Sequence, residues 1–485
     1  MAKVLSNYVN GAWVQAANGA TFEQRNPARL TEVTGIWPAS TREDARAAVE
    51  AAEVAFASWS KLTPIARASY LKKALENMRE RASDIAGVLT AENGKTIAES
   101  RAEVQSGIDE AEFQIHEGLR MYGETVPSRR DGVFAYSIRK PLGVVSAITP
   151  WNFPFNVPVR KIVPALMAGN TCVFKPASLT PMTGLMFTEC FVDAEFPAGV
   201  LNFVTGGGST VGAELTTNPA IRAISFTGSE EVGKRIHRMA SEQLIKTQLE
   251  MGGKNPAIVL EDADLDAAAK SIVRAAYVCA GQWCTATSRV LVVKEVAEEL
   301  TKRLLEEVER IHIGEGVDPN TDMGPVCGTE QLETIGGYLE TGKKEGAVLL
   351  TGGNVRKDGQ FADGCFIEPT VFGEVTEDMT IAREEIFGPV LAVMKVQDFD
   401  DAIRVANNVR FGLASAVYTK DLNRTFRYIE ENDAGVMHVN LMTAIKEPHL
   451  SFGGVKESGH GLPEAGKTGI EFFTEHRVVY INYGR

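Results

Sequence analysis

The sequence predicts an α/β protein containing doubly wound parallel sheets, and three observations predict it. Short, almost wholly apolar runs recur at 143–148, 170–175, 200–204 and 221–226, with helical stretches between them. Runs of this kind mark strands buried on both faces, and their alternation with helices is the βαβ pattern of a doubly wound sheet. A second α/β series begins at 255–260, continues through 289–293 and runs to about residue 450. At 485 residues the chain is also too long for one ordinary core, so two or three domains are expected.

In chain order, residues 1–40 read as strands and turns, with a hairpin signal at Asn10-Gly11 between Tyr8-Val9 and Ala12-Trp13-Val14. Thr41-Arg42-Glu43-Asp44 opens an Ala-rich helical region that runs to about Tyr122. Breaks at Leu62-Thr63-Pro64 and at Asn93-Gly94 divide it into at least three helices. A polar turn at 128–132 precedes an alternating strand over 133–140. The β-branched and aromatic run 478–481 reads as a terminal strand.

Composition excludes several classes. Hydrophobic residues make up 44% and charged residues 23%, as in ordinary globular proteins and unlike disordered ones. A net charge of −13 disfavours nucleic acid and anionic membranes as partners, since both need a basic surface. No apolar run reaches the ~18 residues of a membrane span, and the N-terminus lacks a signal-peptide core. Six scattered cysteines without a CxxC pair suit a reduced, cytoplasmic protein better than a disulfide framework. Cys279 and Cys284 do not have zinc-site spacing, and no metal is expected.

Local chemistry leaves two readings open at most candidate positions. Thr205-Gly206-Gly207-Gly208 and the stretch from Phe226 to Gly233 follow apolar strands. Glycines there serve either as structural turns or as a close backbone approach to phosphate at a helix N-terminus. Lys175 lies just past a strand end, where ligands gather, but also suits a solvated loop. Glu250, before Gly252-Gly253, is either a surface charge or a general base. Cys284 is either a small buried residue or a nucleophile.

Five stretches in order resolve these choices, because together they resemble the aldehyde dehydrogenase superfamily from end to end. They are the segments 150–154, 249–254, 281–284, 384–389 and 452–459. The resemblance implies a Rossmann-like cofactor domain from 1–120 and 142–252, and a catalytic domain over 253–450. It also implies a small β oligomerisation extension from 121–141 and 451–485. Unpaired edges in such an extension imply a homodimer or homotetramer.

By that resemblance Cys284 attacks an aldehyde as a thiolate, and the Asn152 amide with the Cys284 backbone N–H stabilises the oxyanion. Hydride passes to NAD or NADP, leaving a thioester that water, activated by Glu250, hydrolyses. The implied cofactor site comprises Ile148, Thr149, Pro150, Trp151, Lys175, Ser178, Gly208, Gly212, Phe226, Ser229, Glu250, Gly252, Glu385 and Phe387. Many NAD-specific members carry glutamate where Ser178 stands. Serine beside Lys175 removes a charge that would repel a 2′-phosphate, so NADP is expected to be accepted or preferred.

The substrate residues implied are Phe153, Arg160, Trp283 and Thr285. Arg160, eight residues after Asn152, is expected on the same helical face and resembles a carboxylate anchor for succinate or 2-oxoglutarate semialdehyde. Trp283 with Trp151 and Phe153 admits an aromatic aldehyde instead, of the benzaldehyde or vanillin type. A rival of another class is a non-redox cysteine esterase or acyl transferase built on Cys284 and Glu250. The tail departs from the family's commoner Gly-Arg-Glu: after Ser458-Gly459 it reads His460-Gly461-Leu462-Pro463-Glu464-Ala465-Gly466, and Ser451 replaces a usual proline.

Overall fold

In the computed structural model, which describes residues 3–484, five parallel strands form the centre of the first sheet. They are Leu201–Phe203, Thr171–Lys175, Val144–Ile148, Ile221–Thr227 and Lys246–Glu250, side by side in that order. The hairpin of Asn7–Val9 and Ala12–Val14 extends one edge, and Asn10 and Gly11 both take positive φ at its turn, as an Asn-Gly hairpin demands. The short strand Gly459–His460 pairs antiparallel with Lys246–Glu250 at the other edge.

Helix Arg42–Trp59 starts at a capping box in which Thr41 and Asp44 bond reciprocally. Three more helices follow, Pro64–Glu80, Ala82–Asn93 and Ile97–Gly118. The additional break, at Arg81, carries neither Gly nor Pro and so left no punctuation in the sequence. Gly94 ends the third helix at φ 96°, the left-handed cap that glycine adopts without a Cβ penalty.

The second sheet has six parallel strands: Thr370–Gly373, Val390–Val396, Thr287–Val293, Asn255–Val259, Ala414–Tyr418 and Val436–Val439. Val348–Thr351 joins it antiparallel at one edge. A third, antiparallel sheet pairs Thr474–Asn482 with Val133–Pro141 and then Thr125–Val126.

The stretch 451–485 is divided among these parts. Phe452 is buried near Cys284, Gly459–His460 adds to the first sheet, and Ile470, Phe472 and Phe473 enter the core beneath it. Only Thr474–Asn482 reaches the third sheet. The parallel register places Ile148 beside Lys175 and Phe226, and Thr227 beside Glu250, so these residues share one C-terminal sheet edge. In open α/β sheets that edge is where ligands bind.

Candidate active site

The loop carrying Cys284 is built on a strained turn. After helix Leu265–Tyr277, Cys279, Ala280 and Gly281 take φ of 53°, 53° and 69° in succession. Left-handed backbone at a non-glycine residue costs about 1–3 kcal/mol and persists only where the surroundings enforce it. Here the Glu99 carboxylate accepts the Cys279 N–H at 2.6 Å. The Gln282 side chain donates to the Cys279 carbonyl at 3.1 Å and accepts the Cys327 N–H at 2.8 Å. Asn255 Nδ2 donates to the carbonyls of Cys284 and Ala286, at 2.7 and 2.9 Å. Among the six cysteines only Cys284 is less than fully buried. Burial first, then the Glu250 carboxylate, pushes its thiol well up from the ordinary value.

Asn152 reaches the same loop from the first sheet, donating Nδ2 to the Gln282 carbonyl at 3.1 Å. Its own carbonyl accepts from the buried Lys95 ammonium at 2.7 Å. Lys95 also pairs with Glu103 at 2.7 Å and lies 4.0 Å over the Phe153 ring. Glu103 in turn accepts the N–H groups of Phe155 and Asn156, at 2.9 and 3.2 Å. The first two turns of helix Ile97–Gly118 therefore grip both the Asn152 turn and the Cys284 loop.

Asn152 is not on a helix, contrary to the expectation of a shared helical face. The helix starts at Asn156, after the preceding turn, and it carries Arg160. Both residues nevertheless line the cavity that contains Cys284.

Glu250 ends its strand 2% exposed, and Oε1 has no hydrogen-bond partner among the described residues. Burial, then the nearby Glu464 carboxylate, raises its pKa well above the ordinary value, while Arg160 and Lys161 pull it down. Glu464 sits in a buried charge cluster. It pairs with Lys161, accepts from Thr227 Oγ1 at 3.1 Å and lies 3.6 Å from Arg160 Nη1. Arg160 is 6% exposed and stacks 4.9 Å from the Phe452 ring centroid. Its Nε and Nη1 make no hydrogen bond among the described residues.

Two cavities meet here. One, of about 270 Å³, is lined by Asn152, Glu250, Cys284, Pro150, Trp151, Ser229, Gly252, Glu385 and Phe387 among others. The other, of about 440 Å³, contains Thr285, Arg274 and Lys446. Phe153, Arg160, Trp283 and Phe452 line both. Phe153 and Trp283 lie 4.8 Å apart at 49°, and Trp151 meets Phe387 edge-on at 5.4 Å.

The smaller cavity's side chains suit a dinucleotide. Helix Glu230–Ser241 begins at Ser229 with no side-chain cap, leaving its N–H groups for an anion. Glu385 accepts the Gly253 N–H at 2.9 Å, and a Cβ at Gly252 would stand 2.0 Å from its carboxylate. Burial pushes Glu385 up to about 7. At the sheet edge beyond the cavity, Lys175 is buried, donates only to the Pro176 carbonyl at 3.0 Å, and is pulled down to about 8 by desolvation. Ser178 beside it is exposed, and Thr149 N–H donates to the Lys175 carbonyl at 3.2 Å. Gly208 and Gly212 bound a π-helical turn with no close neighbour over either Cα. The side chains of Phe226 and Ile148 lie in the hydrophobic core, with Phe226 packed under Gly228.

Sequence reasoning missed Asn255, Lys95, Glu103 and the role of Glu464. Asn255 carries a weak signal, as a buried-strand amide just before Pro256; the others act across long separations that leave no local pattern. Among the described residues no helix could cross a membrane, and no cluster of three or more His, Cys, Asp or Glu could hold a metal.

Known proteins share this architecture. The aldehyde dehydrogenase family model matches residues 13–479. The alpha-ketoglutaric semialdehyde dehydrogenase of Bacillus subtilis (strain 168) is 42% identical over 475 residues, 98% of this chain and 97% of that protein. A crystal structure of an E. coli NADP dependent enzyme superposes with a TM-score of 0.95 at 36% identity, covering 98% of both chains. Betaine aldehyde dehydrogenase from Staphylococcus aureus, in complex with NAD+, gives 0.97 at 33% identity, covering 99% of this chain and 95% of that one. These likenesses set aside the non-redox thiol enzyme: the chain belongs to the aldehyde dehydrogenase family and is an NAD(P)-dependent aldehyde dehydrogenase.

Proposed function

We propose that this dehydrogenase acts on a carboxylated semialdehyde of the succinate or 2-oxoglutarate type, with Cys284 as nucleophile. One observation carries the substrate: Arg160 is buried in the wall shared by both cavities, and its Nε and Nη1 make no hydrogen bond among the described residues, with only Glu464, 3.6 Å from Nη1, as a charge partner. A buried guanidinium with spare donors is strongly favourable toward a carboxylate, which it binds with charge-assisted hydrogen bonds. The name of the Bacillus subtilis relative agrees with this class.

In this mechanism the Cys284 thiolate attacks the aldehyde carbon, forming the C–S bond. Negative charge gathers on the former carbonyl oxygen, where the free N–H of the Asn152 amide and the Cys284 backbone N–H donate. The nicotinamide cofactor, when bound, supplies the acceptor for the hydride released as the thiohemiacetal becomes a thioester. Glu250 then takes a proton from water, whose oxygen attacks the thioester carbon. The C–S bond breaks, the carboxylic acid leaves, and Cys284 is again a thiolate. Ser229 and the helix it opens would hold the pyrophosphate, Glu385 the nicotinamide ribose, and Lys175 with Ser178 the adenosine ribose.

Arg160→Ala tests the substrate. The expected loss in kcat/KM is roughly 100-fold on succinate semialdehyde and 2-oxoglutarate semialdehyde, with little change on benzaldehyde. Equal losses on all three would make Arg160 structural. Phe153, Trp283 and Phe452 favour the second reading, an aromatic aldehyde, which a high wild-type kcat/KM on benzaldehyde would support.

NADP is expected to be accepted or preferred, supported by Lys175 standing three residues before an exposed Ser178 with no acidic residue between them in the chain. Ser178→Glu should shift the NADP/NAD ratio of kcat/KM toward NAD by about tenfold or more; a wild type strictly dependent on NAD would refute the preference. A homodimer or homotetramer in a reducing, cytoplasmic setting completes the reading, consistent with six free thiols and an open β-edge.

A further inference from the structure

Outside the catalytic cluster, five charged side chains from four separate segments meet beside residues that line the smaller cavity. Arg410, just before strand Phe411–Gly412, bonds Glu384 bidentately, with Nη1–Oε1 and Nη2–Oε2 both at 2.5 Å. Its Nε donates to Glu230 at 2.7 Å and lies 3.5 Å from Glu457. Lys234 pairs with Glu230 one turn along the same helix and with Glu457 at 2.9 Å. The Glu457 N–H also donates to the Arg410 carbonyl at 3.1 Å, and the guanidinium stacks on the Phe411 ring at 4.4 Å.

The placement of the partners matters more than their number. Glu230 follows Ser229, at the first turn of a helix that rises from the first sheet. Glu384 precedes Glu385, on the side of the second sheet. Arg410 is thus one side chain bonded to the immediate neighbours of two residues that line the same cavity, one on the side of each sheet. We infer that Arg410 is a positioning residue that fixes the separation of the Ser229 and Glu385 walls and so sets cofactor affinity. The inference rests on the cofactor site proposed above. An isolated exposed ion pair contributes little, but bidentate geometry, a stacked guanidinium and a shared network are the conditions under which such pairs count. Arg410 and Lys234 also neutralise Glu230, whose charge would otherwise oppose phosphate at the same helix end.

The test is cofactor binding to the full-length enzyme, read as quenching of tryptophan fluorescence by NADP and by NAD, alongside thermal unfolding. Arg410→Gln should raise both Kd values roughly 5- to 20-fold. Arg410→Lys, which keeps the charge but loses the bidentate fork, should fall between. Both variants should keep the wild-type Tm within about 2 °C, since these side chains remain partly in contact with solvent, at 16–39% exposure, and kcat at saturating cofactor should change less than about twofold. KCl should weaken wild-type binding more steeply than Arg410→Gln binding. Glu385→Gln and Ser229→Ala serve as controls. If they weaken binding while both Arg410 variants stay within about twofold of wild type, the positioning role is wrong and the site stands. If none of the four changes Kd, the cofactor site itself is misassigned and the inference falls with it.

Discussion

In the proposed mechanism, three acidic groups decide how the chemistry runs. Cys284, Glu250 and Glu464 lie near one another, and burial resists a charge on Cys284 and on Glu250. Glu250 becomes a base only when pH rises past its elevated pKa, so thioester hydrolysis should follow an ascending limb displaced above the ordinary carboxylate range. Glu464 contributes to that displacement as a like charge. Glu464→Gln removes it, and the limb should move to lower pH. The Lys161 ammonium, then without its carboxylate, pulls in the same direction. A pH profile of hydrolysis, with acylation separated by burst kinetics, checks the sign; a limb that stays put or moves alkaline would dissociate Glu464 from Glu250. The unusual tail thereby acquires a use in the proposed mechanism, since the segment 460–466 brings Glu464 close enough for its charge to act on Glu250.

At the scale of elements, the turn from Cys279 to Gly281 is strained and leads directly to Cys284. It forces the chain into the left-handed region three times and then passes close to the carbonyl of Gly388, where a Cβ on Gly281 would stand 2.2 Å away. Gly281→Ala therefore meets both a φ of 69° and a backbone clash. It should cost roughly 2 kcal/mol or more of stability and abolish most activity, measured as Tm and as titratable Cys284. Nothing in Gly281-Gln282-Trp283-Cys284 announces that strain, although the glycine is visible. The parallel strands were legible because apolar runs such as 144–148 have to be buried on both faces. The proposed catalytic trio, Cys284, Glu250 and Asn152, was suggested by motifs that resemble those of the family. The supporting bonds were not: Asn255 reaches Cys284 across 29 residues, Glu103 reaches Phe155 across 52, and Lys161 reaches Glu464 across 303. Spacing arguments apply within an element, and even there failed for Asn152, which lies in the turn before the helix that carries Arg160.

At the scale of the molecule, the third sheet is open along one long edge. Strand Thr474–Asn482 pairs with Val133–Pro141 along one side and forms the sheet's edge on the other. Val478, Tyr480 and Ile481 are 62%, 73% and 44% exposed. A long edge strand with exposed apolar residues invites pairing unless charge or proline blocks it, and neither follows His476-Arg477 before the strand ends. A second apolar stripe lies elsewhere: Leu422, Phe426 and Ile429 recur at helical spacing on the solvent side of helix Leu422–Glu431, close in sequence to the other open edge, Val436–Val439. Two such surfaces suit association through β-edges and a helix face, and neither belongs to the catalytic cavities. Replacing Val478 and Tyr480 by Lys and Glu should leave the fold of each sheet intact, because both side chains point to solvent, while opposing edge pairing. The expected outcome is a smaller particle by light scattering. Activity per Cys284 should fall less than the mass does, because Cys284, Glu250, Asn152 and Arg160 line one cavity of a single chain. An unchanged mass would move the interface to the Leu422–Ile429 stripe, where Phe426→Lys is the corresponding test.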